Sequence, residues 1–247
     1  MNIEINPIED YKNECKKEIL EQGKDFELFK TSKKWLDQSS KHKYSYHFSW
    51  LDRPIIQLPQ DILALQELIW ETKPDIIIET GIAHGGSLVY YASIMELIGK
   101  GEVLGIDIDI RGHNREAIEK HPMFKRISLL EGSSISEKIH KKVKELTKDK
   151  QTILLVLDSN HTHDHVLKEL QLYAPFVTKG SYLVVFDTVV EDMPNEFFHD
   201  RPWANGNNPK TAVWEFLKNN DSFVIDKNIQ NKLLITVAPD GYLKRIK

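Results

Sequence analysis

Six short apolar runs constrain this chain more than any other feature: "DIIIET", "EVLGID", "RISLLE", "TILLVLD", "SYLVVFD" and "KLLITVA". Each is continuous and does not alternate with polar residues. A strand with that pattern is buried on both faces, which implies a mainly parallel sheet covered by helices on each side. Helix-like stretches fall between the runs, at about residues 87–98, 114–120, 136–146, 164–173 and 210–219. The pattern predicts an α/β fold, a doubly wound and Rossmann-like sheet, in which ligands sit beyond the carboxyl ends of the strands.

The ends of the runs carry the chemistry. Glu79, Asp107, Glu131, Asp158 and Asp187 each close a predicted strand, so five carboxylates are expected at one rim. Some can serve as N-caps of the helices that follow; Asp107 and Asp158 are read as functional. After the first run comes "ETGIAHGGSLVYYA", a glycine-rich turn leading into a helix. A phosphate-binding P-loop ends in Gly-Lys-Ser/Thr, and here Gly85-Gly86-Ser87 has no lysine. A dinucleotide fingerprint needs a second glycine where this chain has Ala83, so a pyrophosphate fits poorly. S-adenosylmethionine (SAM) has no phosphate. It asks for an acid before the turn, small residues under the methionine part and a carboxylate on the next strand for the ribose diol. Glu79, Gly81, Gly85 and Asp107 meet those demands. "EGSS" after the third run places Ser134 where it can hydrogen-bond the adenine. A tight turn with no ligand is the plain alternative.

The stretch "LDSNHTHDH" follows the fourth run and holds Asp158, Asn160, His161, His163, Asp164 and His165 at a helix entrance. His161 and His165 are spaced as zinc ligands on a helix are, although His163 and His165 also suit helix capping. A two-histidine, one-carboxylate iron site of a hydroxylase is the competing reading. Asp158 and Asp187 at adjacent strand ends favour a hard cation, Mg2+ or Mn2+. His161 lies three residues past Asp158, where an imidazole can take a proton from an acceptor hydroxyl.

With 247 residues, 40% of them hydrophobic, the chain suits one such domain and an added segment. The expected division is an N-terminal helical and aromatic extension over residues 1–56 and the SAM domain over 57–247. Within the extension, spaced apolar residues from Pro7 to Lys43 predict one or two surface helices. The aromatic "YSYHFSWLDRPIIQLPQD" is expected to be irregular and ordered, with Asp61 capping the next helix. The formal charge of -4 offers no basic face for nucleic acid. The single Cys15 suits a reducing, cytoplasmic setting. "MNIEINPIEDYKNECKK" has no apolar export-signal core, and no run is long enough to span a bilayer.

Taken together, "PDIIIETGIAHGGSLVYYAS", "GIDIDIRGHNREAIEKHP", "LDSNHTHDHVLKELQLYAPFVTKGSYLVVFDT", "NNPKTAVWEFL" and "NKLLITVAPDGYLKR" resemble the cephalosporin hydroxylase family, which also takes in rhamnosyl O-methyltransferases. The likeness runs from about Gln57 to the C-terminus. It implies a class I SAM-dependent methyltransferase fold with a divalent cation, usually Mg2+. It also implies a SAM pocket built from Glu79, Gly81, Ala83, Gly85, Ser87, Asp107, Ile108, Ser133, Ser134 and Asp158, with Asp158 and Asp187 as metal ligands. The chain departs from its relatives at Phe186, where an acid precedes the second aspartate in one of them, and at Thr188, where catechol-type enzymes carry Asn. Thr188 is the expected third ligand, with Asn160, Asp164, Asp192 or water as alternatives. The expected activity is O-methylation of a hydroxyl on a small polar acceptor such as a sugar. The acceptor pocket would form between "YSYHFSW" and "FFHDRPWANGNNPKTAVWEF". A SAM-binding module without catalysis is the alternative, and association into a homo-oligomer is open.

Overall fold

The computed structural model describes residues 6–247; the first five residues of the stretch expected to lack an export signal lie outside it. The extension begins with α1 (Pro7–Gln22) and α2 (Phe26–Ser40). Asn6 and Asp25 cap them by accepting from the backbone N–H of Ile8 and Leu28 at 3.1 and 2.9 Å. α1 buries no residue and α2 buries only Ser32, as expected of surface helices. A short antiparallel hairpin follows, β1 (Phe48–Trp50) with β2 (Arg53–Ile55), and then α3 (Pro59–Thr72).

The remaining strands are β3 (Ile76–Thr80), β4 (Glu102–Asp107), β5 (Ile127–Glu131), β6 (Ile153–Leu157), β7 (Tyr182–Val185), β8 (Phe223–Ile225) and β9 (Tyr242–Arg245). They form one seven-stranded sheet in the order β5-β4-β3-β6-β7-β9-β8. The first five strands of that order are mutually parallel, and β9 runs antiparallel to both β7 and β8. The helices between them are α4 (Gly86–Ile98), α5 (Gly112–Glu119), α6 (Glu137–Thr147), α7 (His163–Tyr173), α8 (Pro209–Lys218) and α9 (Lys227–Leu233).

The continuous apolar runs have their physical explanation in two cores. Ile77, Val103, Leu154 and Val184 point to one face with Leu65, Tyr90 and Tyr91. Ile76, Ile78, Leu104 and Leu155 point to the other with Val166, Tyr173 and Val213. Both faces of each central strand are therefore dry, and neither can tolerate alternation.

Two expectations fail near the C-terminus, for one reason. "KLLITVA" is not a strand. It ends α9, turns at Leu234 with φ +58°, and continues irregularly to β9. Asp61 is not an N-cap. Pro59 opens α3 after Leu58, which leaves Asp61 inside the first turn with no exposed surface. A carboxylate buried there needs donors. It accepts from the Thr236 hydroxyl, from the Val237 N–H at 2.9 Å and from the Tyr242 hydroxyl at 2.7 Å. The Val237 N–H is taken by Asp61 and the Val237 carbonyl by the Val189 N–H at 3.2 Å, so neither group joins a ladder.

The chain order reverses at β3. The connection to β4 runs one way and the strands β6 and β7 lie the other way. A crevice therefore opens at the carboxyl ends of β3 and β6, and the candidate site lies there.

Candidate active site

Gly81 leaves β3 with φ +82°, a conformation that L side chains rarely adopt. A Cβ at Gly81 would also run into the backbone carbonyl of Asp158. The first glycine is thus required twice over, by its dihedral and by the approach of the β6 end. The turn continues through Ala83 at φ +43° and Gly85 at φ +77°. Ala83 holds its left-handed geometry because its carbonyl accepts from Asn114 Nδ2 at 3.1 Å, while the His84 carbonyl accepts from Arg53 Nε at 3.1 Å.

Beneath the turn, Glu79 has no exposed surface and accepts from the hydroxyls of Ser87 at 2.5 Å and Tyr91 at 2.9 Å. Burial dominates over these two donors and pushes its carboxyl from an ordinary 4.5 up to about 7. The folded protein therefore holds a proton at Glu79 that the unfolded chain releases near 4.5, and stability falls as pH rises through that window. Asp61, raised by burial to about 6, acts in the same direction. Urea titrations of the ligand-free protein at pH 5 and pH 8 should show the loss. Glu79→Gln should remove up to about 3 kcal/mol of the difference. An unchanged pH slope in that variant would clear Glu79 of the effect.

Asp107 ends β4. Its Oδ2 accepts from the Ile82 N–H at 2.9 Å and its Oδ1 from the Asp109 N–H at 3.1 Å. A cavity of about 130 Å³ opens beside it, with Gly81, Ile108, Ser133, Ser134 and His165 among its walls. The structure thus gathers five of the residues expected to hold SAM: Gly81, Asp107, Ile108, Ser133 and Ser134. Glu79, Ala83, Gly85, Ser87 and Asp158 do not line that cavity; the first four shape the turn under it, and Asp158 reaches it only through its backbone against Gly81. His165 is the residue that sequence reasoning missed, having been read as helix capping. Its signal was the carboxylate four residues on, Glu169, on the same face of α7.

Asp158, His161 and Asp187 form a second group, with one ligand atom from each lying within 4.8 Å of the others. His161 Nε2 is 3.2 Å from Asp187 Oδ2. Asp158 has its carboxyl raised well above the usual range by burial, then by the charges of Asp187, Glu79 and Glu169. Such a concentration of carboxylates with no lysine or arginine in the group fits a bound cation. Thr188, the expected third ligand, needs correction: it is fully buried and its hydroxyl donates to the Pro239 carbonyl at 2.6 Å. The alternatives are engaged or distant too. Asn160 Oδ1 accepts from Thr162 N–H at 2.9 Å, Asp192 accepts from Lys210 Nζ at 2.6 Å, and Asp164 is exposed. His161 and His165 do not share a site. His161 precedes α7, and His165 faces the smaller cavity. His163 Nδ1 lies 2.8 Å from the Thr211 hydroxyl.

His161 and Asp187 also line a larger cavity, of about 410 Å³, with Tyr44, Tyr46, Phe198 and Trp203. The two aromatic stretches singled out in the sequence meet here. The His161 ring packs edge-on to Trp203 at 4.8 Å, which fixes the imidazole plane.

A family model described as rhamnosyl O-methyltransferase/CmcI matches residues 42–246. The chain belongs to this family. Within the rhamnosyl O-methyltransferase/CmcI family, it is 32% identical over 192 residues to the rhamnosyl O-methyltransferase of Mycobacterium tuberculosis (strain H37Rv), covering 75% of this chain and 73% of the relative. To the enzyme of the same name from Mycobacterium leprae it is 30% identical over 148 residues, covering 59% and 62%. Among solved structures, a CmcI structure described as holding Mg and SAM aligns with a TM-score of 0.57 at 18% identity, covering 82% of this chain and 78% of that one. At that identity the likeness shows the fold, a class I methyltransferase sheet.

Proposed function

We propose that this chain is a SAM-dependent, divalent-cation-assisted O-methyltransferase, acting on a hydroxyl of a small polar acceptor, a saccharide by analogy with the rhamnosyl-named relatives. One observation carries the reading. The Asp158–His161–Asp187 group lies between the two cavities: the Asp158 backbone packs against Gly81, which lines the smaller one with the neighbouring Ser159 and Asn160, and His161 and Asp187 line the larger. A methyl donor and an acceptor bound in the two would meet at that group.

Asp158 and Asp187 would hold the cation, with water completing its shell in place of Thr188. Mg2+ or Mn2+ suits two oxygen donors and retained waters. The group holds one histidine and two carboxylates, the reverse of the two-histidine, one-carboxylate iron site of a hydroxylase. When bound, the cation supplies Lewis acidity that lowers the pKa of an acceptor hydroxyl. SAM supplies an electrophilic sulfonium methyl. The chain's own residues do the rest. Asp107 keeps free lone pairs for the ribose hydroxyls. Tyr44, Tyr46 and Trp203 line the larger cavity and would give a sugar ring aromatic surface to pack on. His161, its ring plane fixed by Trp203, would take the hydroxyl proton, and the oxygen would attack the sulfonium methyl in line as the carbon–sulfur bond breaks and S-adenosylhomocysteine leaves. Positioning by the two cavities supplies much of the rate. Among the described residues no helix is long and apolar enough to cross a membrane. The single thiol of Cys15 suits the cytoplasm.

Methyl transfer from SAM to a panel of glycosides, with calorimetry of SAM binding, tests this. Activity should vanish in EDTA and return with Mg2+ or Mn2+. Asp107→Ala should weaken SAM binding by about 1.5–3 kcal/mol, as for a lost charged hydrogen bond. Full activity in the chelated enzyme, or unchanged SAM affinity in a folded Asp107→Ala protein, would overturn these assignments.

A further inference from the structure

We infer that Glu169, Ser159 and His165 form a hydrogen-bonded relay that fixes Ser134 as a donor to a ring nitrogen of the cofactor's adenine. The inference rests on the SAM reading of the smaller cavity and adds to it a rule for reading the base.

The wiring follows from proton counting. Ser159 Oγ donates to Glu169 Oε1 at 2.8 Å. A hydroxyl has one proton, so Ser159 Oγ can then only accept from its other neighbour. That neighbour is His165 Nε2, 3.2 Å away. Nε2 therefore carries the hydrogen, an assignment drawn from the network around it. Glu169 Oε1 lies 3.6 Å from the same Nε2, and its negative charge favours the protonated nitrogen. Nε2 is also 3.2 Å from Ser134 Oγ. A protonated Nε2 has no lone pair to accept with, so Ser134 cannot donate along that line and its own proton has to point elsewhere. The direction left to it is the cavity, which Ser134 and His165 both line. The Tyr173 hydroxyl donates to the Ser134 carbonyl at 2.7 Å and keeps the residue in place.

Glu169 itself calls for such a role. It has no exposed surface, and its Oε2 has no hydrogen-bond partner. A half-satisfied buried carboxyl is costly, and Glu169 is not among the three residues clustered at the candidate cation site. As the fixed end of a relay it orients two hydroxyls and an imidazole at once. The result is a pocket that presents an O–H. Adenine offers ring nitrogens as acceptors, and a C–H in place of the right nitrogen leaves that donor unpaired.

The experiment is calorimetry of the full chain with S-adenosylhomocysteine and its 1-deaza, 3-deaza and 7-deaza analogues. Wild type should bind one of the three at least about 10-fold more weakly than the parent, the cost of one lost hydrogen bond in a dry site. Ser134→Ala and His165→Phe should bring that analogue and the parent to within about 3-fold of each other, since the donor or its orientation is gone. His165→Gln, whose amide N–H can stand where the Nε2–H stood, should keep the selectivity. A merely structural role for His165 would move all four affinities together and would not separate Gln from Phe. Equal binding of all analogues by wild type overturns the inference, as does selectivity that persists in Ser134→Ala or in His165→Phe. Failure of wild type to bind S-adenosylhomocysteine at all would overturn the cofactor reading itself.

Discussion

Replacing Asp158 by asparagine should cripple methyl transfer and, at the same time, make the ligand-free protein harder to unfold. The two effects have one cause. Asp158 is held at the end of β6 with its carboxyl raised by burial and by the charges of Asp187, Glu79 and Glu169. In the absence of a cation this is repulsion stored at the floor of the crevice, and a neutral side chain of the same shape relieves it. Thermal unfolding of the EDTA-treated variant at pH 8 should show a gain of about 1–2 kcal/mol, the size typical when a strained functional site is relaxed. The rate should fall by about 10³-fold, because Lewis-acid assistance amounts to several kcal/mol of transition-state stabilisation. Folding is not in question for this variant, so the activity loss is readable. An Asp158→Asn protein that methylates at the wild-type rate removes the carboxylate from the chemistry; one that is less stable contradicts the repulsion.

His161→Ala should lower the rate by about 10²–10⁴-fold with SAM affinity intact, the range for a lost general base. The imidazole sits 3.2 Å from Asp187 and edge-on to Trp203, inside the larger cavity. That location also admits a ligand role, and metal binding separates the two. If His161 takes the proton, Mn2+ affinity measured by titration should be the same in wild type and His161→Ala while turnover collapses. A parallel fall in Mn2+ affinity would move His161 to the ligand set. Near wild-type turnover on a true acceptor would remove it from the mechanism altogether.

The fold and the glycine-turn half of the candidate site were legible because their signals are local. β3, β4, β6 and β7 are continuous apolar runs with dry faces on both sides, and each announces itself within five or six residues. The glycine turn is similarly self-contained, since φ at Gly81 and Gly85 and the carboxylates at the strand ends are all properties of short stretches. What misled was long-range. "KLLITVA" has the composition of a strand, and the side chain that takes its Val237 N–H is Asp61, far upstream. Asp61 in turn has the look of a cap after Pro59 because its true partners, Thr236, Val237 and Tyr242, are remote in sequence. Thr188 occupies a ligand position by motif, but the Pro239 carbonyl takes its hydroxyl. The histidines of "HTHDH" look alike in sequence; the start of α7 sends His161 to one cavity and His165 to the other.

The wall of the larger cavity has a different material origin from its floor. The floor, His161 and Asp187, hangs from strands clamped by both cores. Much of the wall, including Tyr44 and Tyr46, follows two helices that bury almost nothing. Changes in that wall therefore carry little penalty in folding, and changes in the floor carry a large one. On the proposed reading of the larger cavity as the acceptor site, acceptor choice can drift, or be redirected by mutagenesis around Tyr44 and Tyr46, while the methyl-donor machinery stays as it is. Lineages of such proteins should diverge fastest where they touch the molecule being methylated and slowest where they touch the one that gives the methyl away.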